Sequence, residues 1–279
     1  MAFNMISKIV VPTDFSDAAD NALTYGIELA KKAKAELQIL HINQVAMVDA
    51  TMPAETYQLF VKEIEEQTKE NFARLEKLIS VHTELTYSMH SRYGFVADEI
   101  CDFSQKHETD LIVMGTTGAS GLEEILVGSN AASVVVRTNV PVMVVPPLSK
   151  YKNIERMVYA TDYNEPEFPA LIRLIFYAEL FDSHLDVVHV KSDADKYFNA
   201  ENKFFKKNKE KISYSKINYL QLEKANIVDA LNKYVEDHQV DLLVMAKHNR
   251  NFFDRLFHRS LSKNMAFHTK IPLLVLVKG

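Results

Sequence analysis

The sequence predicts an α/β protein built from two tandem doubly wound parallel sheets. Three observations carry this. Short apolar runs alternate with segments of helical spacing. The alternation is written twice along the 279 residues. Four of the seven glycines fall between Gly115 and Gly128, directly after the apolar run Leu111–Met114. Short buried strands separated by helices make a parallel sheet covered on both faces.

The elements follow in order. Ile9–Pro12 reads as a first strand. The stretch from Asp14 to Ala35 has helical spacing, with Ala18, Ala22, Tyr25 and Leu29 inward, and Asp14 or Ser16 can cap its start. Leu37–Ile42 is a second strand. Ala54–Val81 is a long amphipathic helix with Phe60, Ile64, Phe72, Leu75 and Ile79 on or near one stripe. Leu85–His90 is a third strand. Val96–Lys106 is a helix with Ile100 and Phe103 inward, and Cys101 is a small core or boundary residue. Leu111–Met114 is a fourth strand, Ser129–Arg137 a helix and Val142–Val145 a fifth strand.

The repeat is long-period. Lys8–Leu23 aligns without gaps with Arg156–Leu171, and Leu37–Asn43 with Leu185–Lys191. A shorter offset pairs Asp110–Gly115 with Asp241–Ala246, and Val140–Val145 with Ile271–Leu276. This predicts one domain over residues 1–147 and another over 154–279, joined near Pro146–Asn153.

Net charge is −5, against a general nucleic-acid binder. Residues 1–149 carry 11 Lys/Arg and 20 Asp/Glu, net −9, and residues 150–279 carry 21 and 17, net +4. That asymmetry is either drift between two surfaces or a mutual attraction of the halves. One cysteine precludes an internal disulfide. No window resembles a signal peptide or a membrane span, so the expectation is a cytoplasmic chain.

The glycine cluster points to a ligand. A strand, a glycine loop and a helix start can cradle phosphate on backbone N–H groups at the positive end of the helix dipole. The spacing is Gly115-x2-Gly118-x9-Gly128-Ser129. It lacks the lysine of a Walker A loop, and no GxGxxG occurs. A glycine turn without a ligand is the plain alternative, with Ser129 as a helix cap. Asp14 lies at the same crevice and can both cap and contact a ligand. His41 and His189 match across the repeat, and one per domain is too few for a metal site, so a structural role is expected. No nucleophile motif occurs.

PTDFS after the first strand, Ile39–Ile42 on the second and G-x2-G-x9-G-S after the fourth together resemble the universal stress protein family, and both halves share the likeness. The resemblance implies two five-stranded parallel sheets in strand order 3-2-1-4-5, of the adenine nucleotide alpha hydrolase-like kind, with the fifth strands paired in an intrachain pseudo-dimer. It implies ATP as cofactor, commonly with Mg²⁺ or Mn²⁺. Pro12, Thr13 and Asp14 would flank the nucleoside, and Ile42 would offer backbone groups to adenine. Met114, Gly115, Gly118, Gly128, Ser129 and Asn130 would surround ribose and phosphates.

The second copy departs from the motif. Ala246, Asn249 and Arg259 stand where the first has Gly115, Gly118 and Gly128, and Ser260 alone survives. This half is expected to have lost ATP binding. Lys247, His248, Arg250, Arg255, His258 and Arg259 form a basic cluster, either a solvated loop or a contact with an acidic partner or with the acidic first half. The expectation is a nucleotide-gated regulator with a protein partner and a possible homodimer. The alternatives are a slow ATPase or adenylating enzyme, or a ligand-free scaffold.

Overall fold

The computed structural model describes residues 6–44, 53–116, 128–161, 168–191, 212–223, 227–247 and 270–277. The first half runs β1 (Lys8–Thr13), α1 (Asp17–Ala33), β2 (Glu36–Asn43), α2 (Ala54–Ile79), β3 (Tyr87–Tyr93), α3 (Val96–Lys106), β4 (Leu111–Gly115), α4 (Ser129–Arg137) and β5 (Val142–Val145). The second runs β6 (Arg156–Thr161), α5 (Phe168–Phe181), β7 (His184–Lys191), β8 (Ile217–Glu223), α6 (Ile227–Asp237), β9 (Leu242–Ala246) and β10 (Leu273–Leu276).

The strands form one ten-stranded sheet, in the order β3-β2-β1-β4-β5-β10-β9-β6-β7-β8. Neighbours within each half are parallel. β5 and β10 meet antiparallel, with Leu274 opposite Met143. Pairing the fifth strands removes two exposed edges. The sheet is apolar on both faces. One face packs Ile9, Val11, Leu37 and Ile39 under Leu29 of α1 and Leu75 and Ile79 of α2, and continues through Tyr159, Leu174 and Leu274. The other packs Val10, Leu40 and Ile112 under α3 and α4 and continues through Val158, Leu231 and Leu243. Both halves therefore contribute to each core. On the first face Gly26 lets α1 approach β1, since a Cβ there would lie 2.5 Å from Val11 Cγ2.

The aspartate before the fourth strand of each repeat has a mechanical role. Asp110 Oδ2 accepts from the Ser7 and Lys8 N–H groups (2.8 and 3.1 Å), and Asp241 Oδ2 from those of Glu155 and Arg156 (2.8 and 2.9 Å). Each carboxylate fastens the start of its first strand to its fourth. The junction between the halves is also tied down. The Asn21 side chain of α1 donates to the Pro146 and Ser149 carbonyls (3.0 and 2.8 Å), and Tyr25 Oη donates to the Lys150 carbonyl (3.1 Å). Tyr151 meets Tyr25 edge to face at 5.1 Å, and burial pushes its phenol up to about 12.

Two expectations need correction. β3 begins at Tyr87, not Leu85, and runs on to Tyr93, because it follows β2 to its end at Asn43. In α2, Leu75 and Ile79 are buried, but Phe60 is exposed and Ile64 half-buried. Its 26 residues span about 39 Å at 1.5 Å each. The eight residues of β2 span only about 26 Å. The helix therefore outruns the sheet, and its first turns lie past the core.

Beneath α3, His90 faces Phe103 at 4.9 Å and His107 at 5.8 Å. Burial, then the neighbouring His107, holds its imidazole below the usual value, with Arg92 acting the same way and Glu36 opposing. A histidine depressed in the folded chain takes up its proton more readily when unfolded. Its contribution to stability is present above the ordinary value near 6.5 and is lost as pH falls from there through the folded-state value. The melting temperature should therefore drop as pH falls below the ordinary histidine value near 6.5. His90→Leu, which copies the equivalent Leu220, should flatten that drop; an unchanged pH profile would exclude His90 as its source.

Candidate functional site

The sequence-predicted residues that the structure describes gather where β1 and β4 end. Ile9 pairs with Leu111 and Val10 with Ile112; carried forward, this register brings Thr13 level with Gly115. On either side of this pair the strand order runs in opposite directions. Such a switch point opens a crevice outside the carboxyl ends of the strands. β2 also outruns β1. The β1 register stops at Thr13 opposite His41, while β2 continues through Ile42 and Asn43 against β3. The β1-facing edge of Ile42 thus lies beyond the end of β1, at the crevice.

Pro12 and Thr13 are buried and Asp14 is exposed. After them the backbone turns sharply. Phe15 sits at φ +63°, a left-handed conformation that is rare for a bulky residue. Thr13 Oγ1 accepts from the Phe15 N–H (2.9 Å), and Asp14 Oδ1 accepts from the Ser16 N–H (3.1 Å) and hydroxyl (2.5 Å). Ser16, not Asp14, caps α1, accepting from the Ala19 N–H at 3.3 Å. The Phe15 ring lies 4.4 Å from His41 and 5.5 Å from Phe72. His41 Nδ1 donates to the Thr13 carbonyl (2.8 Å), and His189 repeats this with Thr161 (2.9 Å). These matched histidines fasten the end of the first strand to the second in each half, the structural role expected of them.

Met114 is buried against the α3/α4 face. Gly115 has a packing reason. A Cβ there would lie 3.0 Å from the Ala18 carbonyl oxygen of α1 and 3.2 Å from its carbon. Thr116 is buried, and its Oγ1 has no hydrogen-bond partner among the described residues. Gly118 lies outside the described residues, as does Gly121. The Gly128 N–H donates to the Thr116 carbonyl, which closes the loop at its base.

At α4 the cap differs from expectation. Gly128 is the N-cap, and Ser129 is the first helical residue. Gly128 has φ −57° and ψ 153°, a backbone open to any residue, so the turn itself does not require glycine. No side chain caps the helix, and its first turn holds no acidic residue. Ser129 and Asn130 are exposed there. The first-turn N–H groups and the positive end of the helix dipole thus face the crevice end of the sheet.

Two cations of this half are engaged elsewhere. The Arg92 guanidinium stands 5.6 Å over the Phe103 ring, and Arg137 forms an ion pair with Asp98. Cys101 is half-buried, and burial raises its thiol, which disfavours a nucleophilic role. Among the described residues no group of three His, Cys, Asp or Glu could hold a metal ion. None of the described helices is long and apolar enough to cross a membrane.

In the second half, Asn249, Arg259 and Ser260 lie outside the described residues, with His248, Arg250, Arg255 and His258. Lys247 is described, and of the alternatives it takes the contact with the first half rather than a solvated position. It is turned onto the first half, donating to the Thr138 carbonyl at the end of α4 (2.7 Å), and burial lowers its ammonium. Arg74 and Thr116 were missed in the sequence. Arg74 stands in no motif and Thr116 is an unspecified position between Gly115 and Gly118, so only the packing of α2 and the end of β4 marks them at this crevice.

The model of the universal stress protein family matches residues 5–146 and again 153–278. Universal stress protein MJ0531 of Methanocaldococcus jannaschii is 36% identical over 148 residues, which cover 51% of this chain and 83% of that protein. Universal stress protein YxiE of Bacillus subtilis is 33% identical over 147 residues, 50% of this chain and 99% of that one. A universal stress protein structure from Archaeoglobus fulgidus superposes with a TM-score of 0.73 at 20% identity, covering 99% of this chain and 97% of that one, and so shares the fold. With a family match in each half, the chain belongs to the universal stress protein family, as a tandem member.

Proposed function

We propose that the first half, residues 1–147, binds one ATP with Mg²⁺ or Mn²⁺, and that the chain works as a nucleotide-gated regulator. The observation that carries this is the convergence of the Thr13–Ser16 turn, the open end of β2 and the uncapped start of α4 at the β1/β4 switch point. Pro12, Thr13 and Asp14 flank the nucleoside, and Ile42 offers backbone groups to adenine. Met114, Gly115, Gly118, Gly128, Ser129 and Asn130 surround ribose and phosphates. An uncapped helix start suits phosphate, and the Thr116 hydroxyl, without a partner among the described residues, suits a polar ligand. A divalent cation fits here as a companion of the phosphates rather than in a protein cage. The second half, residues 154–279, is a degenerate copy that completes the assembly.

Binding is favoured over turnover. Fast phosphoryl transfer needs a cation aimed at the transition state, and Arg92 and Arg137 are both committed elsewhere. Backbone donors and a serine hydroxyl hold ground-state phosphate without lowering the barrier. Calorimetric titration with Mg-ATP should give a stoichiometry near one. A value near two would show that the second half also binds. Absence of binding, with no nucleotide co-purifying, would leave the fold as a ligand-free scaffold.

A further inference from the structure

We infer that Arg74 of α2 is a positioning residue for the nucleoside end of the site. The inference rests on the nucleotide reading above. Arg74 forks across two anchors. Nη1 and Nη2 donate to Asp20 Oδ2 and Oδ1 of α1 (2.5 and 3.1 Å), and Nη2 also donates to the Phe15 carbonyl (3.3 Å). Phe15 is the residue held left-handed at φ +63°. L-residues with a Cβ disfavour that region, and such a conformer persists only where its surroundings impose it. Its ring is flanked by His41 and Phe72, and Phe72 lies two residues before Arg74.

The strained turn is therefore gripped from α2 at its ring and at its carbonyl. Its inner N–H groups are held by Thr13 Oγ1 and Asp14 Oδ1. The grip fixes how Thr13 and Asp14 stand at the crevice before any ligand arrives. A partly exposed ion pair alone adds little to stability, so an ordinary α1–α2 brace would leave ligand affinity untouched. A lock on the binding-competent turn acts differently. If the turn relaxes, the competent fraction falls and the apparent Kd rises in proportion.

The test compares wild type, Arg74→Met, Arg74→Lys and a remote control, Lys216→Met, which breaks the exposed Lys216–Asp182 pair of the second half. Two readouts are taken: the Kd for Mg-ATP, and amide exchange at Phe15 and Ser16 in the ligand-free chain. Arg74→Met should raise the Kd about ten-fold and speed both amides by a similar factor. Arg74→Lys keeps a cation for Asp20 but cannot span both anchors. Its Kd should stay raised. Lys216→Met should move neither readout. If Arg74→Met does not fold, Asp20→Asn, which weakens the second anchor, should give the same pattern. Unchanged exchange in Arg74→Met overturns the lock, and a Kd within two-fold of wild type, or fully recovered by lysine, overturns the positioning role. A wild-type chain that binds no ATP overturns the nucleotide reading, which the exchange data distinguish from failure of the lock.

Discussion

Gly128→Arg should abolish Mg-ATP binding and leave the ligand-free fold intact. This variant copies Arg259, the aligned residue of the second half, into the first. The backbone accepts it, because Gly128 has φ −57° and ψ 153°. The expected damage is to the site. A long side chain at the N-cap fills the space in front of the Ser129 and Asn130 amides, and its charge at the positive end of α4 is unfavourable by about 0.3–1 kcal/mol. Wild type should gain about 2.7 kcal/mol when ATP exceeds its Kd about 100-fold, a rise of several degrees in melting temperature. The variant should show no rise and a nearly unchanged midpoint without ligand. Gly128→Ala, small and neutral, should keep most of the rise. An undiminished rise in Gly128→Arg would put the phosphates somewhere other than the start of α4.

Leu274→Asp should unfold both halves together. Leu274 is fully buried on β10, opposite Met143 of β5, where the two halves join into one sheet. A carboxylate there has no designated partner, and burying it should remove roughly 4 kcal/mol or more. That is a large share of the ~5–15 kcal/mol that holds a typical domain. Both cores draw residues from both halves, so the loss cannot stay local. Calorimetry should show a single wild-type transition, moved strongly downward in the variant, with ATP binding lost in parallel. A first half that kept the wild-type melting temperature and ATP affinity while the second unfolded would show that the halves are independent.

Periodicity alone made most elements legible. α1, α3 and β5 stand where apolar spacing puts them, because each is covered by the core along its length. α2 was legible as an amphipathic helix, but nothing in its stripe says where the sheet beneath it ends, so Phe60 stands exposed while Leu75 and Ile79 are buried. The start of β3 was misplaced because its residues sit at an edge, where register with β2 outweighs hydrophobicity. The glycine cluster marked the crevice, yet two of its members mean something different in three dimensions. Gly115 is small for the sake of Ala18 in α1, and Gly128 sits in a backbone that needs no glycine.

The sequence by itself determined the tandem repeat, the alternation of strand and helix, and the family, because these follow from local spacing and motif order. The resemblance already implied that the fifth strands pair, and tertiary structure decided their register and the core they share. Pairing β5 with β10 fuses two sheets into one and threads a shared core through both halves. It also decided that Arg74, in the middle of a polar helix face, reaches a strained turn 59 residues away. A hydrogen bond between distant residues leaves no periodic trace in a chain. Its energy depends on an approach of a few ångströms that only the packed helices create.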